Sequence, residues 1–252
     1  MGVVRKLIRG TAEIVFTLGL VGLLLCVHQL WWTNIESRAK ASSNLSELDD
    51  EWQRGPVASS NDTPPYLGPD GSDGPTNVGT DGHNDGTGVD GAGTVRGKPF
   101  AKVYIPRLGK GFVKPIVEGT SLNSLAQGVG HYTYAPYTGP GQVGNFGLAG
   151  HRNGHGEPFR YLNKLRPGDF VVVETATSWY TYQIVKGPFI TQPGNGAVLA
   201  SDPPQLGLGS GQKLITLTTC DPEFTSKNRM VFWGTLKVAD EKRPGFKPAA
   251  LG

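Results

Sequence analysis

The stretch KLITLTTCDPEFTSKNRMVFWG, from Lys213 to Gly234, contains two strand-like runs separated by a short loop. β-Branched and apolar residues dominate KLITLTT and recur in RMVFWG, which is typical of half-buried β-strands. Arg229 lies nine positions after Cys220, a gap that closes a loop between neighbouring strands. We therefore predict a β-hairpin that places Cys220 and Arg229 at the same edge of a sheet.

Similar short runs fill the chain from Phe100 onward, separated by turns rich in Gly and Pro. About 150 residues with seven or eight such runs predict a single antiparallel β-barrel or sandwich. Helical patterns are few and cover only residues 121–127 and 158–165. The runs are AKVYIP (101–106), FVKPIV (112–117), GNFGLAGH (144–151), DFVVVET (169–175), WYTYQIVKG (179–187), KLITLTT (213–219) and RMVFWGTLKV (229–238).

An apolar run begins at Ile14 and, extended to Trp32, approaches the roughly 20 residues that cross a bilayer. The adjacent Trp31 and Trp32 are typical of the interface between membrane and water. We predict a cytoplasmic N-terminus at 1–13, an anchor at 14–32 and everything beyond it outside the cell. A cleaved signal peptide is the alternative, but the cleavage-like AKA at 39–41 lies too far from the apolar run.

Residues 33–97 are polar and rich in Gly and Asp, which predicts a disordered extracellular linker. The spacing of the aspartates does not match a calcium-binding loop, and we predict neither a metal site nor a cofactor. A catalytic domain is predicted over 98–240, followed by a tail over 241–252. Residues 96–252 carry eighteen basic and nine acidic residues. That balance suits an anionic partner such as wall polymer, lipid or nucleic acid, or a basic surface without a dedicated partner.

Cys26 and Cys220 are the only cysteines, and Cys26 falls within the predicted anchor. An unpaired thiol outside the cell is an oxidation liability, so Cys220 is either a buried small hydrophobe or a nucleophile. Among the histidines, His151 has the best context for a catalytic base because it follows a strand and opens a loop. His155 is expected in a solvent-exposed loop, and His131 in a turn with a structural hydrogen bond.

Arg229 could stabilise the oxyanion that forms when a thiolate attacks a carbonyl carbon. The alternative is a surface arginine paired with Asp221 or Glu223. Taken from the residues alone, both possibilities remain open.

Three motifs in this order resemble the signature of the sortases, membrane-anchored cysteine transpeptidases of Gram-positive-type envelopes. They are GNFGLAGHR (144–152), TLTTC (216–220) and the Arg229 of NRMVFWG. The resemblance covers about residues 100–238, and TLTTC followed by DP is most similar to class E.

The resemblance implies an eight-stranded β-barrel in which Cys220 attacks the Thr–Gly carbonyl of an LAxTG-type sorting signal on a secreted protein. His151 would protonate the departing amine, Arg229 would hold the oxyanion, and Thr219 would position the substrate. The acyl group would pass to the amine of a peptidoglycan precursor, with no nucleic acid involved. The rival functions are a cysteine hydrolase of wall peptides and a non-enzymatic wall-binding domain. Papain-like enzymes are disfavoured because their cysteine precedes their histidine.

Overall fold

Most of the chain beyond residue 97 consists of β-strands and the tight turns between them. The computed structural model describes residues 2–54, 97–133 and 138–252. The strands in those ranges are β1 (Pro99–Tyr104), β2 (Val113–Glu118), β3 (Val129–His131), β4 (Gly144–Ala149), β5 (Phe170–Glu174), β6 (Ser178–Thr191), β7 (Lys213–Asp221) and β8 (Asn228–Glu241).

The eight strands close into a barrel in the order β1-β2-β3-β4-β7-β8-β6-β5, and β5 returns to β1. This confirms the predicted eight-stranded barrel. The expectation of purely antiparallel pairing is wrong, because β2 pairs with β3 and β4 with β7 in parallel. Parallel neighbours need a crossover, and the β5–β6 hairpin lies in the chain between β4 and β7.

The barrel interior is filled by apolar side chains that are almost completely shielded from water. Each such side chain contributes about 1.5–3 kcal/mol relative to an exposed one, so the strands that carry the site are rigidly supported. The largest members of this core are Phe146, Phe159, Tyr182, Phe232, Ile105, Ile116, Leu148, Leu162, Leu165 and Ile184.

Strand β3 differs from the turn that the sequence predicts around His131. The strand has only three residues, and one of them is Gly130. A Cβ on Gly130 would lie 2.5 Å from the carbonyl oxygen of Gly119, so only glycine permits this close approach of backbones. His131 is buried at its end, with Nδ1 3.0 Å from Glu118 Oε1 and Nε2 3.1 Å from the Thr138 carbonyl. The structural role expected for His131 is therefore confirmed.

Helical structure within the barrel domain is as sparse as predicted. Helix α2 (Leu122–Leu125) forms one turn, and the Ser121 hydroxyl caps it by accepting a hydrogen bond from the Ser124 amide. The helical pattern at 158–165 yields only a 3-10 turn at Leu162–Lys164. Further 3-10 turns occupy Pro106–Leu108, Gly196–Leu199 and Ala249–Leu251.

Helix α1 (Gly2–Arg54) contains the predicted anchor and is much longer than expected. It is the one helix among the described residues that is long and apolar enough to cross a membrane. The apolar side chains between Ile14 and Val27, as well as Trp31 and Trp32, are exposed. The described part of the barrel does not cover this apolar surface.

Beyond Trp32 the helix continues through twenty-two residues that the sequence analysis assigns to the linker. This part of the prediction differs from the structure. Ser37, Asn44 and Leu48 are buried and Trp52 is half-buried, a helical spacing that forms one face against the barrel. Because the average composition of the segment is polar, the sequence does not reveal this buried face. The remainder of the predicted linker, residues 55–96, lies outside the described residues.

Direct polar contacts hold this part of α1 against the domain. The Asn44 amide donates to the Gln127 carbonyl at 3.2 Å, and Lys102 pairs with Asp49. At the other end of the docked stretch, Asn34 Oδ1 accepts from the backbone amide of Gly156 at 3.0 Å. Helix α1 is thus fastened to the barrel and to the loop that follows His151.

The chain beyond β8 also packs on the domain. Strand β8 ends at Glu241, one residue past the predicted domain boundary. Lys242 then pairs with Glu174 at 2.6 Å, and its ammonium lies 3.9 Å from the centre of the Trp52 ring. The predicted tail therefore contributes to holding α1 in place.

Candidate active site

The hairpin predicted from the opening stretch is present. Strands β7 and β8 pair antiparallel, and Cys220 stands directly opposite Arg229 in their register. Directly opposed residues have Cβ atoms about 4.5–5.5 Å apart, so their side chains are neighbours. Both side chains are half-buried, at the open end of the barrel. The thiol is therefore not sealed in the core, as the small-hydrophobe interpretation of Cys220 would require.

His151 reaches the same edge from the other side of β7. Strands β4 and β7 run parallel, and Ala149 pairs with Thr218. The Gly150 amide donates to the Thr218 carbonyl at 3.1 Å, and the Thr219 hydroxyl donates to the Gly150 carbonyl at 2.7 Å. His151 is the next residue, so the register places it beside Cys220. Three strand ends therefore bring Cys220, Arg229 and His151 together.

The His151 ring lies in a partly dehydrated environment. Burial, followed by the nearby His155 ring, lowers the pKa of His151 to about 4. The two imidazole centroids are 4.8 Å apart with a 32° angle between their planes. Nε2 of His151 is buried and has no hydrogen-bond partner among the described residues. At neutral pH the ring is uncharged, and no hydrogen bond within the described residues occupies Nε2.

His155 is exposed, as the sequence analysis expects, but it is not an isolated loop residue. Its backbone adopts a positive φ of 48°, which bends the loop back and brings its ring against His151. Sequence alone could not show this contact, because it depends on the conformation of a glycine-rich turn.

Arg229 has no carboxylate partner among the described residues. Its Nη1 donates to the carbonyls of Ser226 and Asn228, both at 3.1 Å, which orients the guanidinium along its own loop. The alternative pairing with Asp221 or Glu223 is wrong, since both acids contact other arginines. The remaining donors of Arg229 can therefore bind an oxygen atom brought in by a ligand.

Arg152 is a residue of the site that the sequence alone does not identify. It is 7% exposed, and its Nη1 lies 2.6 Å from Asp221 Oδ1 and 3.3 Å from the Cys220 carbonyl oxygen. Arg152 follows His151 in the chain, and Asp221 follows Cys220. The ion pair thus ties the loop that carries the histidine to the strand that carries the cysteine. An Arg directly after the histidine and an Asp directly after the cysteine were the available signal.

Two further side chains complete the environment. Thr219 is 3% exposed and its hydroxyl already donates to the Gly150 carbonyl, so its predicted role in substrate binding stays a prediction. The Tyr132 hydroxyl lies 2.9 Å from Thr218 Oγ1, and burial raises the pKa of this phenol. Within residues 2–54, 97–133 and 138–252, no group of three or more His, Cys, Asp or Glu side chains is placed to hold a metal ion.

Residues 103–237 match the model of the Sortase domain family, which is more than half of the chain. The chain belongs to the sortase family. Sortase SrtE1 of Streptomyces coelicolor is 39% identical over 251 residues, which is 96% of this chain and 60% of the relative. Sortase SrtE2 of the same organism is 34% identical over 92% of this chain and 83% of its own length. These relatives confirm the resemblance to class E that the motifs indicate.

A solved structure agrees with the sortase assignment. Sortase E1 from Streptomyces coelicolor, crystallised with a tripeptide in the active site, is 46% identical and superposes with a TM-score of 0.57. The superposition covers 62% of this sortase and 98% of that chain. The shared part corresponds in extent to the barrel, whereas this chain spans 60% of the length of the curated relative SrtE1.

The ring contact between His155 and His151 leads to a pH prediction. Because His155 helps to lower the pKa of His151, His155→Asn should raise that pKa and shift the acidic limb of kcat/KM to higher pH. Asparagine tolerates the positive φ at this position. The measurement is the pH profile of sorting-peptide cleavage, with His28→Gln as a histidine control away from the site. A profile unchanged from wild type, or moved to lower pH, would show that the contact does not tune His151.

The Arg152–Asp221 pair leads to a prediction about alignment. Either Arg152→Gln or Asp221→Asn should lower kcat/KM by about 10- to 100-fold, since a shift of about 1 Å in a reacting group has that cost. The double variant should lose little more than either single one, because the same contact is broken once. The control is Arg107→Gln, which breaks the 2.6 Å pair with Asp169 elsewhere on the barrel. Additive losses, or single variants as active as wild type, would contradict the alignment role.

Proposed function

We propose that this sortase is a membrane-anchored cysteine transpeptidase that cleaves an LAxTG-type sorting signal between Thr and Gly. It would transfer the acyl group to the amine of a cell-wall precursor. The observation that carries the proposal is the register of β4, β7 and β8. It pairs Cys220 with Arg229 and leads from the end of β4 to His151 at the same barrel edge. The family assignment and the tripeptide bound in the active site of the related Sortase E1 support a peptide substrate.

The first half-reaction begins with a neutral imidazole, as the low pKa of His151 indicates. Cys220 transfers its proton to Nε2 of His151 and its sulfur attacks the threonine carbonyl carbon of the signal. The negative charge that develops on the carbonyl oxygen is stabilised by the free donors of Arg229. The resulting imidazolium then protonates the departing glycine amine as the C–N bond breaks, leaving a thioester on Cys220.

In the second half-reaction an amine is the nucleophile and the Cys220 thiolate is the leaving group. The precursor amine attacks the thioester carbonyl, neutral His151 accepts the amine proton, and the thiolate leaves and recovers a proton from the imidazolium. The covalent intermediate is what allows one amine to be exchanged for another. Water in place of the amine would give hydrolysis, which is the rival activity.

The proposed location is the cell membrane, with a single span and the barrel outside the cell. The exposed apolar surface of α1 between Ile14 and Trp32 supports a membrane-spanning role. Arg5 and Arg9 precede this surface, which favours a cytoplasmic N-terminus.

The test of the proposal is mass spectrometry of the full chain after incubation with an LAxTG-containing peptide. We expect a thioester-linked adduct on Cys220 that disappears when a glycine-based amine is added, with release of the amide product. Cys220→Ala should form no adduct and retain no turnover, whereas the matched variant Cys26→Ala should behave as wild type. Turnover by Cys220→Ala would refute the nucleophile, and release to water despite excess amine would favour the hydrolase.

A further inference from the structure

A cleft of about 350 Å³ lies between α1 and the barrel, on the side of the loop that follows His151. Its polar lining is mostly cationic, with Arg38 from α1, Lys114 from β2 and Arg160 from the loop. Glu157 is the single acidic residue in the lining. Phe112 and Tyr161 add aromatic walls. The cleft is therefore a pocket with excess positive charge and an apolar side.

The cleft keeps an excess of positive charge, although Arg160 is also paired with Glu223, which lies outside the lining, at 3.3 Å. Glu157 Oε2 is 2.8 Å from Arg160 and 3.9 Å from Arg38, so one carboxylate is shared by two guanidinium groups. No described carboxylate lies within ion-pair distance of Lys114, whose ammonium is 5.8 Å from the centre of the Phe112 ring. Burial and, after it, the charge of Arg38 lower the pKa of Lys114. A half-buried cation beside another cation is stabilised when an anion enters.

The cleft adjoins the proposed active site. A smaller hollow of about 120 Å³ shares Arg38, Lys114 and Gly156 with it and is lined in addition by His155. The His155 ring contacts that of His151, the proposed base for the incoming amine. An anionic ligand in the cleft would thus lie on the histidine side of the site, where the acceptor amine is deprotonated.

The position along α1 sets the height of the cleft relative to the membrane. Arg38 lies six residues after Trp32, which corresponds to about 9 Å along a helix. With Trp31 and Trp32 at the membrane interface, Arg38 and Lys114 are at the level of lipid headgroups. This step rests on the membrane anchoring given under the proposed function.

We propose that this cleft binds the phosphate group of a lipid headgroup at the membrane surface. Arg38, Lys114 and Arg160 supply the charge-assisted hydrogen bonds that phosphate oxygens accept. The group can belong to a lipid that carries the acceptor amine through a pyrophosphate, or to an anionic phospholipid that orients the barrel. The connection to His155 favours the acceptor lipid, since binding there would bring its amine toward His151.

The test uses the full chain in nanodiscs and two variants, Lys114→Gln and Arg38→Gln. The Arg38 side chain is 64% exposed, so its replacement should leave the fold intact. In the first arm, the acceptor is a polyprenyl pyrophosphate carrying an amine-bearing peptide, in neutral phosphatidylcholine. In the second arm, the acceptor is the same peptide without lipid or pyrophosphate, in nanodiscs with and without phosphatidylglycerol. Lys237→Gln is the control, because Lys237 is exposed on β8 and does not line the cleft.

If the cleft binds the acceptor lipid, each cleft variant should raise KM for that acceptor about tenfold or more while transfer to the soluble peptide is unchanged. If it binds the phospholipid, the variants should instead abolish a stimulation by phosphatidylglycerol that wild type shows. Variants that match wild type and Lys237→Gln in both arms would overturn the proposal. Thioester formation on Cys220 does not involve the cleft, so it reports separately on the proposed function.

Discussion

The register between β4, β7 and β8 is the constraint on which the rest of the site depends. One strand carries Cys220, its antiparallel neighbour places Arg229 opposite it, and its parallel neighbour delivers His151 one residue beyond the last paired position. A shift by one residue in either pairing would turn every side chain of that strand to the other face. The register is secured by the buried core and, at the open end, by the Thr219–Gly150 hydrogen bond and the Arg152–Asp221 ion pair.

The ion pairs around the site determine which of its charged groups remain available to a ligand. The acids nearest Cys220 are taken up by arginines, with Asp221 on Arg152 and Glu223 on Arg160 at 3.3 Å. Arg229 is thereby left for a ligand, and His151 is kept neutral by burial and by His155. With a neutral His151, the resting site holds no thiolate–imidazolium pair at neutral pH.

Much of this could be predicted from the sequence because it depends on local patterns. The alternation around Cys220 and Arg229 indicates the hairpin, and GNFGLAGHR places His151 at a strand end. The missed features depend on contacts between distant segments. Strand β3 is short and contains Gly130, so it has no strand signal of its own. The docked part of α1 has a polar average composition. Its buried residues Ser37, Asn44 and Leu48 can be identified as a contact face only when the barrel surface that they pack against is known. The role of Arg152 in joining the histidine loop to β7 can be identified only when Asp221 is known to be its ion-pair partner.

The proposed reaction requires one barrel edge to present a sulfur, an imidazole and a guanidinium to the same peptide bond. A crystal structure of Cys220→Ala with an LAxTG peptide tests this most directly. We expect the threonine carbonyl carbon next to residue 220, its oxygen within hydrogen-bond distance of Arg229, and the glycine nitrogen within reach of His151 Nε2. A peptide bound elsewhere, or a carbonyl oxygen pointing away from Arg229 with His151 out of reach, would show that the three side chains do not act on one peptide bond.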